Sequence, residues 1–548
     1  MATYKTPGVY VEEISTLPPS VAQVATAVPA FIGCTANGPT PDSNGKVVPV
    51  VARIDTMLDY ETLFGGASPS GFTATSQNNA VSVVRNVPGY EYLLYYSVNL
   101  YFKNGGGSCY IVSVGNYSAA PTKAQFEAGL AALEKEDEPT LILLTDATNL
   151  PNAADYYDLC QQALNQCHKL GDRFAILDVL GKKGVDDFRN APIGNYLLYG
   201  AAYYPYLQTT LNYAYLENQV KIESGSTLWQ KAFGTNGILV NYTGTTDAPK
   251  ARIVAGSASD EITFSITASS NSLTISGVAE KTGQAVAAAW DTWKADAANN
   301  AQGFDVVQSG DGTDVMAAAS QVALDNQSGG DTMAGIKSSN TGLYNQVKTA
   351  LSGFRITMPP SPAVAGVYAS VDRDRGVWKA PANVSLSSVI GPVVKINHED
   401  QENLNVDATA GKSINAIRAF TGKGTLVWGA RTLAGNDNEW RYVSVRRLFN
   451  MIEESTQKAT AFAVFEPNDA TTWLKVKAMI ESYLYGLWQQ GALAGSSPDD
   501  AYFVNVGLGK TMTAQDVLEG RMIVEIGIAA VRPAEFIILR FTHKLQQA

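Results

Sequence analysis

The clearest pattern of apolar and polar positions lies near the C-terminal end of the chain. Polar residues at 468–472 offer N-cap oxygens, and Gly491 offers a stop signal. We therefore predict one long amphipathic helix between these two signals. Its buried face is marked by apolar residues that recur at spacings of three and four: Trp473, Val476, Ile480, Leu484 and Leu487.

Shorter signals alternate between strand and helix over the first 210 residues. Apolar runs predict strands at Val28–Cys34, Val47–Val51, Ser108–Val114, Thr140–Thr145 and Arg173–Leu177. Amphipathic runs predict helices at Asp55–Phe64 (with an Asp cap), Tyr90–Lys103, Thr122–Glu136 and Ala153–Leu170. Such alternation indicates an α/β layer with some parallel strands, so the fold class is predicted as mixed α/β (α+β) and multidomain.

The composition changes over residues 211–355, which are rich in Ala, Ser, Thr, Gly and Asn. Eleven acidic residues stand against six basic ones between positions 236 and 350. Residues 261–267 and 272–278 alternate with the period of half-exposed strands, and 286–299 is predicted to be helical. We interpret this stretch as an inserted domain that faces the surface.

Both ends of the chain resemble strands without an obvious place in their own domain. Near the start, Val9, Tyr10, Val11 and Glu12 can form a short strand in a proline-punctuated arm over residues 1–27. At the other end, residues 533–542 form an apolar, β-rich run that we predict to be a strand. An exposed strand of this kind is a liability unless another strand pairs with it.

Length and charge exclude several classes of protein. With 548 residues, the chain is expected to form two to four domains. The formal net charge of −11 argues against nucleic-acid binding, which normally requires a basic face. No uninterrupted apolar window is long enough for a transmembrane helix, so no membrane insertion is expected. The polar start lacks a signal core, and we expect synthesis in the cytoplasm without export by a cleaved signal.

Each stretch that resembles a chemical site lacks a residue that the chemistry requires, so no catalytic, cofactor or metal site is predicted. Residues 411–413 and 509–511 imitate a phosphate-binding loop, but Val406 and Val504 occupy positions that require glycine. Asp146 and Asp178 follow strand ends, where α/β enzymes place catalytic groups, but no nucleophile or base accompanies them. We interpret both as structural caps. The four cysteines are expected to be buried and reduced.

Several short motifs together resemble the family of contractile tail sheath proteins of phage tails, R-type pyocins and extracellular injection systems. The motifs include YKTPGVYVEEIS near the start, PPSPAVAGVYA followed by RGVWKAPAN, and TLVWGARTL, YVSVRRLF, FEPND and LWQQGAL near the end. The resemblance covers residues 1–210 and 356–548 and fails over the insertion between them.

This resemblance implies a division of the chain. It would place a linking arm at 1–27, a discontinuous inner core at 28–120 and 356–530, an outer α/β domain at 121–210, the inserted surface domain at 211–355, and a linking strand at 531–548. Outward-facing insertions would thus decorate an inner domain built from both terminal segments. The residues expected to link subunits are Val9, Tyr10, Val11, Glu12, Phe536, Ile537, Ile538 and Leu539.

The resemblance also implies a function without a cofactor or enzymatic activity. The chain would polymerise in sixfold helical layers around an inner tube protein and contract, with baseplate, cap and possibly paralogous sheath proteins as partners. Glu453 and Glu454 are candidates to face the tube. Such particles would assemble in the bacterial cytoplasm and act as a phage tail or a released extracellular particle. The alternatives are a non-contractile, adhesin-like surface protein, suggested by the insertion, and an α/β enzyme, suggested by the alternation.

Overall fold

A computed structural model of the chain describes residues 21–540, except 41, 44–45, 78–79, 225–228, 245–247, 327–330 and 408. The Cα positions divide the chain into two compact units. The first unit contains residues 1–68, 89–211 and 355–548, and the second contains 69–88 and 212–354.

The helices of the described residues are α1 (Met57–Phe64), α2 (Leu94–Lys103), α3 (Lys123–Leu133), α4 (Ala153–Leu170), α5 (Val185–Asn190), α6 (Gly283–Ala295), α7 (Met333–Ser339), α8 (Thr341–Leu351), α9 (Ser361–Arg375), α10 (His398–Asn405), α11 (Val443–Thr460), α12 (Ala470–Gln489), α13 (Pro498–Ala501) and α14 (Ala514–Leu518). None of them is long and apolar enough to cross a membrane.

The strands of the first 242 residues are β1 (Pro29–Cys34), β2 (Val50–Ile54), β3 (Gly71–Gln77), β4 (Ala80–Asn86), β5 (Cys109–Gly115), β6 (Leu141–Leu143), β7 (Phe174–Asp178), β8 (Gly200–Tyr204), β9 (Leu207–Asn212), β10 (Lys221–Ser224), β11 (Trp229–Phe233) and β12 (Ile238–Tyr242). The later strands are β13 (Lys250–Val254), β14 (Thr263–Thr267), β15 (Ser272–Ser276), β16 (Phe304–Gln308), β17 (Ala319–Ala323), β18 (Asp325–Asn326), β19 (Asp331–Thr332), β20 (Arg355–Met358), β21 (Val384–Ser385), β22 (Val389–Pro392), β23 (Ile414–Phe420), β24 (Gly424–Val427), β25 (Tyr502–Val506) and β26 (Val524–Ile528).

A nine-stranded sheet forms the centre of the first unit, in the order β2-β5-β1-β6-β7-β8-β23-β24-β21. The strands from β5 to β23 are parallel to their neighbours, and the flanking strands are antiparallel. The strands β1, β6 and β7 are buried along their whole length, as expected for parallel strands covered on both faces. The predicted α/β layer with parallel strands is therefore confirmed.

Two helices of the first unit pack unusually close together. A Cβ added to Gly366 of α9 would lie only 2.6 Å from the Cβ of Asn104, at the end of α2. A glycine at this position lets the two backbones approach. This contact joins α2, which precedes β5, to α9, which follows the insertion in sequence.

The C-terminal part of the first unit contains α11, α12 and the hairpin of β25 and β26. The predicted amphipathic helix is confirmed as α12, with the Asp469 side chain accepting hydrogen bonds from the N–H groups of Thr471 and Thr472. Its buried side chains pack against α11 and the hairpin in one apolar cluster, which includes Leu448, Val476, Ile480, Leu484 and Val504.

The second unit has a core of its own. The strands β16-β12-β11-β18 and β14-β15-β13-β17 form two four-stranded sheets. Their buried side chains share one cluster with Trp290 of α6, whose indole is fully buried. A further sheet, β19-β10-β3-β4, packs with α7 and α8.

Three sequence-based boundaries need correction. The resemblance implied that residues 69–88 belong to the inner core. They lie instead in the compact unit of the insertion, because β3 pairs with β10. The expected boundary at 120 runs through a continuous sheet, since β1 pairs with both β5 and β6. The N-cap of α1 is Thr56 and not Asp55, and Thr56 forms a capping box with Asp59.

The four cysteines are free and buried, as predicted.

Candidate assembly site

The end of the described chain exposes four consecutive apolar side chains. Phe536, Ile537, Ile538 and Leu539 are 70–79% exposed. Residues 531–540 form no strand within their own chain, and the predicted strand at 533–542, which was expected to pair with a neighbour, stays a prediction. A strand needs a partner edge for its hydrogen bonds, and this segment has none within the described chain. We call residues 536–539 the C-terminal segment.

An ion pair between a buried arginine and a partly exposed glutamate holds the chain immediately before this segment. The Glu535 carboxylate accepts hydrogen bonds from Nε and Nη2 of Arg431 at 2.9 and 2.6 Å, and the Arg431 side chain is 5% exposed. Asn405 donates to the same carboxylate at 2.8 Å and Tyr442 at 3.2 Å. Burial raises the pKa of Glu535, but these donors outweigh burial and hold the pKa below its usual value. Glu535 therefore fixes the point from which the C-terminal segment leaves.

A second ion pair, in which both side chains are buried, holds the root of the N-terminal arm. Arg447 of α11 contacts both carboxylate oxygens of Asp372 at 3.0 and 2.5 Å, and both side chains are at most 5% exposed. Thr26 donates its hydroxyl to Asp372 and accepts from Arg447 through its carbonyl. Val24 also donates to the Ser455 hydroxyl. The arm residues Val9, Tyr10, Val11 and Glu12 lie outside the described residues.

An apolar groove lies beside the hairpin of β25 and β26. Its volume is about 980 Å³. Strand β26 pairs only with β25 among the described strands, so its second edge has no neighbouring strand. The alternate residues Val524, Ile526 and Ile528 line the groove, together with residues of α11 and α12 that include Ile452, Val476 and Ile480. The groove thus offers both an unpaired strand edge and apolar side chains.

Phe465 lies at the rim of this groove and is fully exposed. Its φ of 68° lies in the left-handed region, which is uncommon for an aromatic residue. Strained, exposed positions of this kind are enriched where a partner binds. The residue belongs to the FEPND motif between α11 and α12.

The two glutamates suggested as tube-facing differ in exposure. The Glu453 side chain is 53% exposed and accepts from Arg446 at 3.0 Å. The Glu454 side chain is only 10% exposed and pairs with Lys458 at 2.7 Å. Burial raises the pKa of Glu454, and Lys458 opposes the shift. Because α11 packs its Glu454 side against the subunit, the selection of Glu454 as an accessible residue needs correction.

Asp146 and Asp178 act as caps of helices that are distant in sequence. Asp146 accepts from the N–H groups of Cys34, Leu93 and Leu94, at the start of α2, at 2.5–3.0 Å. Asp178 accepts from the N–H and hydroxyl of Ser361, at the start of α9, at 2.8 and 2.5 Å. Burial raises the pKa of each carboxyl to about 7, and the hydrogen bonds only partly offset this effect. The structural interpretation of both residues is confirmed.

The residues that imitated ligand sites have other contacts. Lys412, in the first imitation of a phosphate loop, donates to the carbonyls of Arg189 and Ala191. The run His398-Glu-Asp400, whose residue types could suggest a metal site, lies at the start of α10, and its His398 side chain is 89% exposed beside Glu402. Among the described residues, no group of three His, Cys, Asp or Glu side chains is arranged to hold a metal ion.

Sequence reasoning identified the exposed C-terminal segment but missed Glu535 and the groove. The partners of Glu535 lie at positions 405, 431 and 442, and only the tertiary fold brings them together. One signal was available: Glu535 is the only charged residue between Arg532 and Arg540. A charge within an apolar run indicates a position that is held by a partner.

Comparison with known proteins places this region in a family. Residues 435–544, which contain the groove and the C-terminal segment, match the model of the phage tail sheath C-terminal domain. The tail sheath protein of Vibrio phage KVP40 is 27% identical over 136 residues, which cover 25% of this chain and 20% of that protein. The alignment therefore spans only about a fifth of the length of this curated relative.

Two cryo-EM structures match over nearly the whole chain. The first, the baseplate of the anti-feeding prophage (AFP) with sixfold symmetrisation, is 28% identical, with a TM-score of 0.55, and covers 99% of this chain and 100% of that one. The second, the PVC sheath complex of an extracellular contractile injection system in its contracted state, is 29% identical, with a TM-score of 0.54, and covers 99% of both chains. These matches include the inserted unit, for which the sequence motifs failed. Over nearly its whole length the chain is therefore similar to chains of contractile injection systems, including a contracted sheath, as the resemblance of its motifs predicted.

Proposed function

We propose that this chain is the structural subunit of a contractile sheath, which polymerises helically around an inner tube and shortens to drive the tube through a target envelope. The observation that carries the proposal is the complementarity within one subunit between an exposed apolar C-terminal segment and an apolar groove with an unpaired strand edge. The nearly full-length likeness to a contracted sheath supports it. The comparisons give no support to an adhesin-like surface protein.

The groove and the segment can satisfy each other between copies. An extended peptide that adds to an open sheet edge gains main-chain hydrogen bonds and places alternate side chains in pockets. Each of the four exposed apolar side chains would contribute roughly 1.5–3 kcal/mol of binding free energy when it is fully buried. We therefore propose that Phe536, Ile537, Ile538 and Leu539 of one copy pair with β26 of another.

Such a contact joins two different surfaces, so each copy can donate to one neighbour and receive from another. Heterologous contacts of this kind produce rings when the rotation closes and helical filaments when it does not. The N-terminal residues Val9, Tyr10, Val11 and Glu12 are proposed as a second donated strand. Together the two arms would link neighbours in sixfold layers, an arrangement supported by the sixfold baseplate of the AFP relative.

The anchored roots of the two arms suit a contractile polymer. Arg447–Asp372 and Arg431–Glu535 hold the two roots rigidly, while the side chains of Phe536, Ile537, Ile538 and Leu539 are exposed. Subunits could then rotate as rigid bodies and stay connected, a bistable packing change that needs no nucleotide during firing. The extended state would be a kinetically trapped, metastable form.

The remaining parts of the proposal concern partners and location. We propose that residues 211–355 face away from the tube. We also propose that Glu453 contacts the tube protein, and we no longer propose this contact for Glu454, because its side chain is buried. Baseplate, cap and sheath paralogues are proposed as further partners. Assembly is proposed in the bacterial cytoplasm, either for a phage tail or for an extracellular particle.

The proposal is tested by electron microscopy of the purified, untagged protein mixed with its tube protein. We expect hollow, striated cylinders for the full-length chain and dispersed subunits after deletion of residues 1–20. Circular dichroism and thermal unfolding of the deleted form should match the full-length protein, because the deleted arm precedes the anchor at Thr26. A full-length protein that stays dispersed with its tube protein would overturn the proposed function.

A further inference from the structure

A basic cavity lies beside the root of the C-terminal segment. Its volume is about 520 Å³, and its lining combines three cations, Arg375, Lys379 and Arg532, with Trp378 and small apolar residues. None of its lining residues is acidic. On a protein with a formal net charge of −11, a concentration of positive charge at one place is unexpected. We call this cavity the basic cavity.

The three cations have no carboxylate partner among the described residues. Lys379 donates its ammonium to the carbonyl of Ala380 at 2.8 Å, and Arg532 donates to the carbonyl of Asn438 at 2.9 Å. Arg375 forms no ion pair with any described carboxylate, although Asp374 beside it pairs with Arg373. Burial and the nearby Arg375 charge lower the pKa of Lys379. Positive charges held together without compensation favour a negatively charged partner.

The N-terminal arm has the composition that such a cavity fits. Residues 1–20 contain two acidic residues, Glu12 and Glu13, and they are adjacent. They follow the apolar run Val9-Tyr-Val11 directly. In an extended arm the carboxylates of Glu12 and Glu13 point to alternate faces at the end of the apolar run, so an arm whose strand ends inside the cavity offers one carboxylate to each side of the lining.

We propose that the basic cavity of one subunit receives Glu12 and Glu13 of the N-terminal arm of another copy. The proposal rests on the proposed sheath function, which supplies the donated arm, and adds the surface and the residues that recognise it. Electrostatic complementarity of this type fixes register and rejects wrong partners. A cavity built in part from residues 531–534 would also place the incoming arm beside the root of the outgoing C-terminal segment.

The first test is charge reversal with rescue. K379E/R532E should reduce the polymer that sediments with tube protein at least about tenfold, because two attractive contacts become repulsive. E12K/E13K should cause a similar loss, and the combination of all four substitutions in one chain should restore polymer to within about twofold of wild type. A subunit that merely misfolds through K379E would not be rescued by changes in the arm.

The matched control reverses two exposed lysines elsewhere, K423E/K510E, and carries the same change in net charge. It should sediment like the wild type. If wild-type subunits assemble and K379E/R532E assembles equally well, or if the fourfold variant stays dispersed, docking of the arm in the cavity is overturned while the sheath function stands. If the wild type itself fails to assemble with its tube protein, the sheath function and the docking that rests on it both fall.

The second test separates a neighbour's arm from the chain's own arm. A carbodiimide joins a carboxylate to an amine in direct contact, and it should couple Glu12 or Glu13 to Lys379 in the polymer. Polymer assembled from equal amounts of nitrogen-14 and nitrogen-15 subunits should yield coupled peptides of mixed isotope. Coupled peptides with only matched isotopes would show docking within one chain and would overturn the proposal.

Discussion

The nine-stranded sheet and the C-terminal hairpin belong to the same compact unit but differ in how far the chain itself completes them. In the sheet, β1, β6 and β7 are buried along their length, and even the carboxylates of Asp146 and Asp178 find donors inside the subunit. The hairpin is a two-stranded sheet whose outer strand, β26, is partly exposed and borders an open groove. An isolated hairpin is marginally stable in water.

This difference suggests a division of labour between folding and assembly. Side chains around the sheet should determine whether the subunit folds, because removing them leaves buried groups without partners. Side chains around the hairpin and the C-terminal segment should determine whether folded subunits join. Substitutions should therefore affect the free energy of unfolding of the isolated subunit most at buried ion pairs and least at the exposed C-terminal segment.

The largest effect is expected for Arg447→Ala. The substitution leaves Asp372 as a buried carboxylate that retains only the hydroxyl of Thr26 among its present side-chain donors. Loss of one partner of a buried ion pair typically costs about 3–5 kcal/mol. Urea unfolding of the isolated subunit should show this decrease. Arg373→Ala is the control, because Arg373 pairs with Asp374 at the surface, where both side chains are 61% exposed, and its loss should change the free energy little.

The next effect is a pH dependence that arises from Asp178. Its pKa in the folded subunit is raised to about 7 by burial, so folding favours the protonated form. The stabilising effect is complete below the unfolded pKa of about 4 and is lost as the pH rises towards 7, with a limiting slope of about 1.4 kcal/mol per pH unit. Asp146, whose pKa is also raised to about 7, should contribute in the same direction.

The variant Asp178→Asn isolates the contribution of Asp178, because an amide does not ionise in this range and its oxygen can still accept from the Ser361 N–H. Urea unfolding between pH 4 and pH 8 should show a smaller decrease for this variant than for the wild type. Equal slopes in the two proteins would contradict the assignment of the pH dependence to this carboxyl.

A smaller loss of stability is expected for Glu535→Gln. The amide can keep one bond from Arg431 but loses the charge, and the side chain is 23% exposed, so the unfolding free energy should fall by no more than about 1 kcal/mol. Assembly should suffer more, because the C-terminal segment then leaves from a less defined position. The measurement compares unfolding by urea with sedimentation of polymer. Glu525→Gln, on an exposed residue of β26, is the control for loss of one negative charge.

These contrasts explain how much of the fold the sequence could predict. Helix α4 was predicted with its observed bounds, and α12 with its cap and stop, because their signals are periodic and local. The capping roles of Asp146 and Asp178 followed from their places just after β6 and at the end of β7, although the helices that they cap could not be named. The motifs carried the family resemblance, and with it the expectation of donated arms.

What could not be predicted depends on pairs that are far apart in sequence. The strand expected at 533–542 had strand composition, but composition does not supply the partner edge on which a strand depends. The groove needs α11, α12 and β26 together, and Glu535 needs residues from three other segments. Residues 69–88 belong to the second unit because β3 pairs with β10, and no local sequence pattern predicts this pairing.

The smallest effect on folding, with the greatest on assembly, is expected for Ile537→Asp combined with Ile538→Asp. Both side chains are almost 80% exposed, so their replacement should leave the unfolding free energy of the isolated subunit unchanged within about 0.5 kcal/mol. In the polymer, however, two carboxylates would enter an apolar groove, where unpaired charges are strongly disfavoured. Sedimentation and electron microscopy with tube protein should therefore show dispersed, folded subunits.

The control for this last prediction places the same charges on the second unit. Val84 and Val87 are 63% and 74% exposed, and V84D/V87D should fold and assemble like the wild type. If this control and the Ile537/Ile538 variant assembled equally well, exposure of apolar residues at the C-terminal segment would have no role in joining subunits. If the Ile537/Ile538 variant instead lost stability as an isolated subunit, the segment would pack against its own chain in solution. The hairpin region would then be completed within the subunit, as the central sheet is.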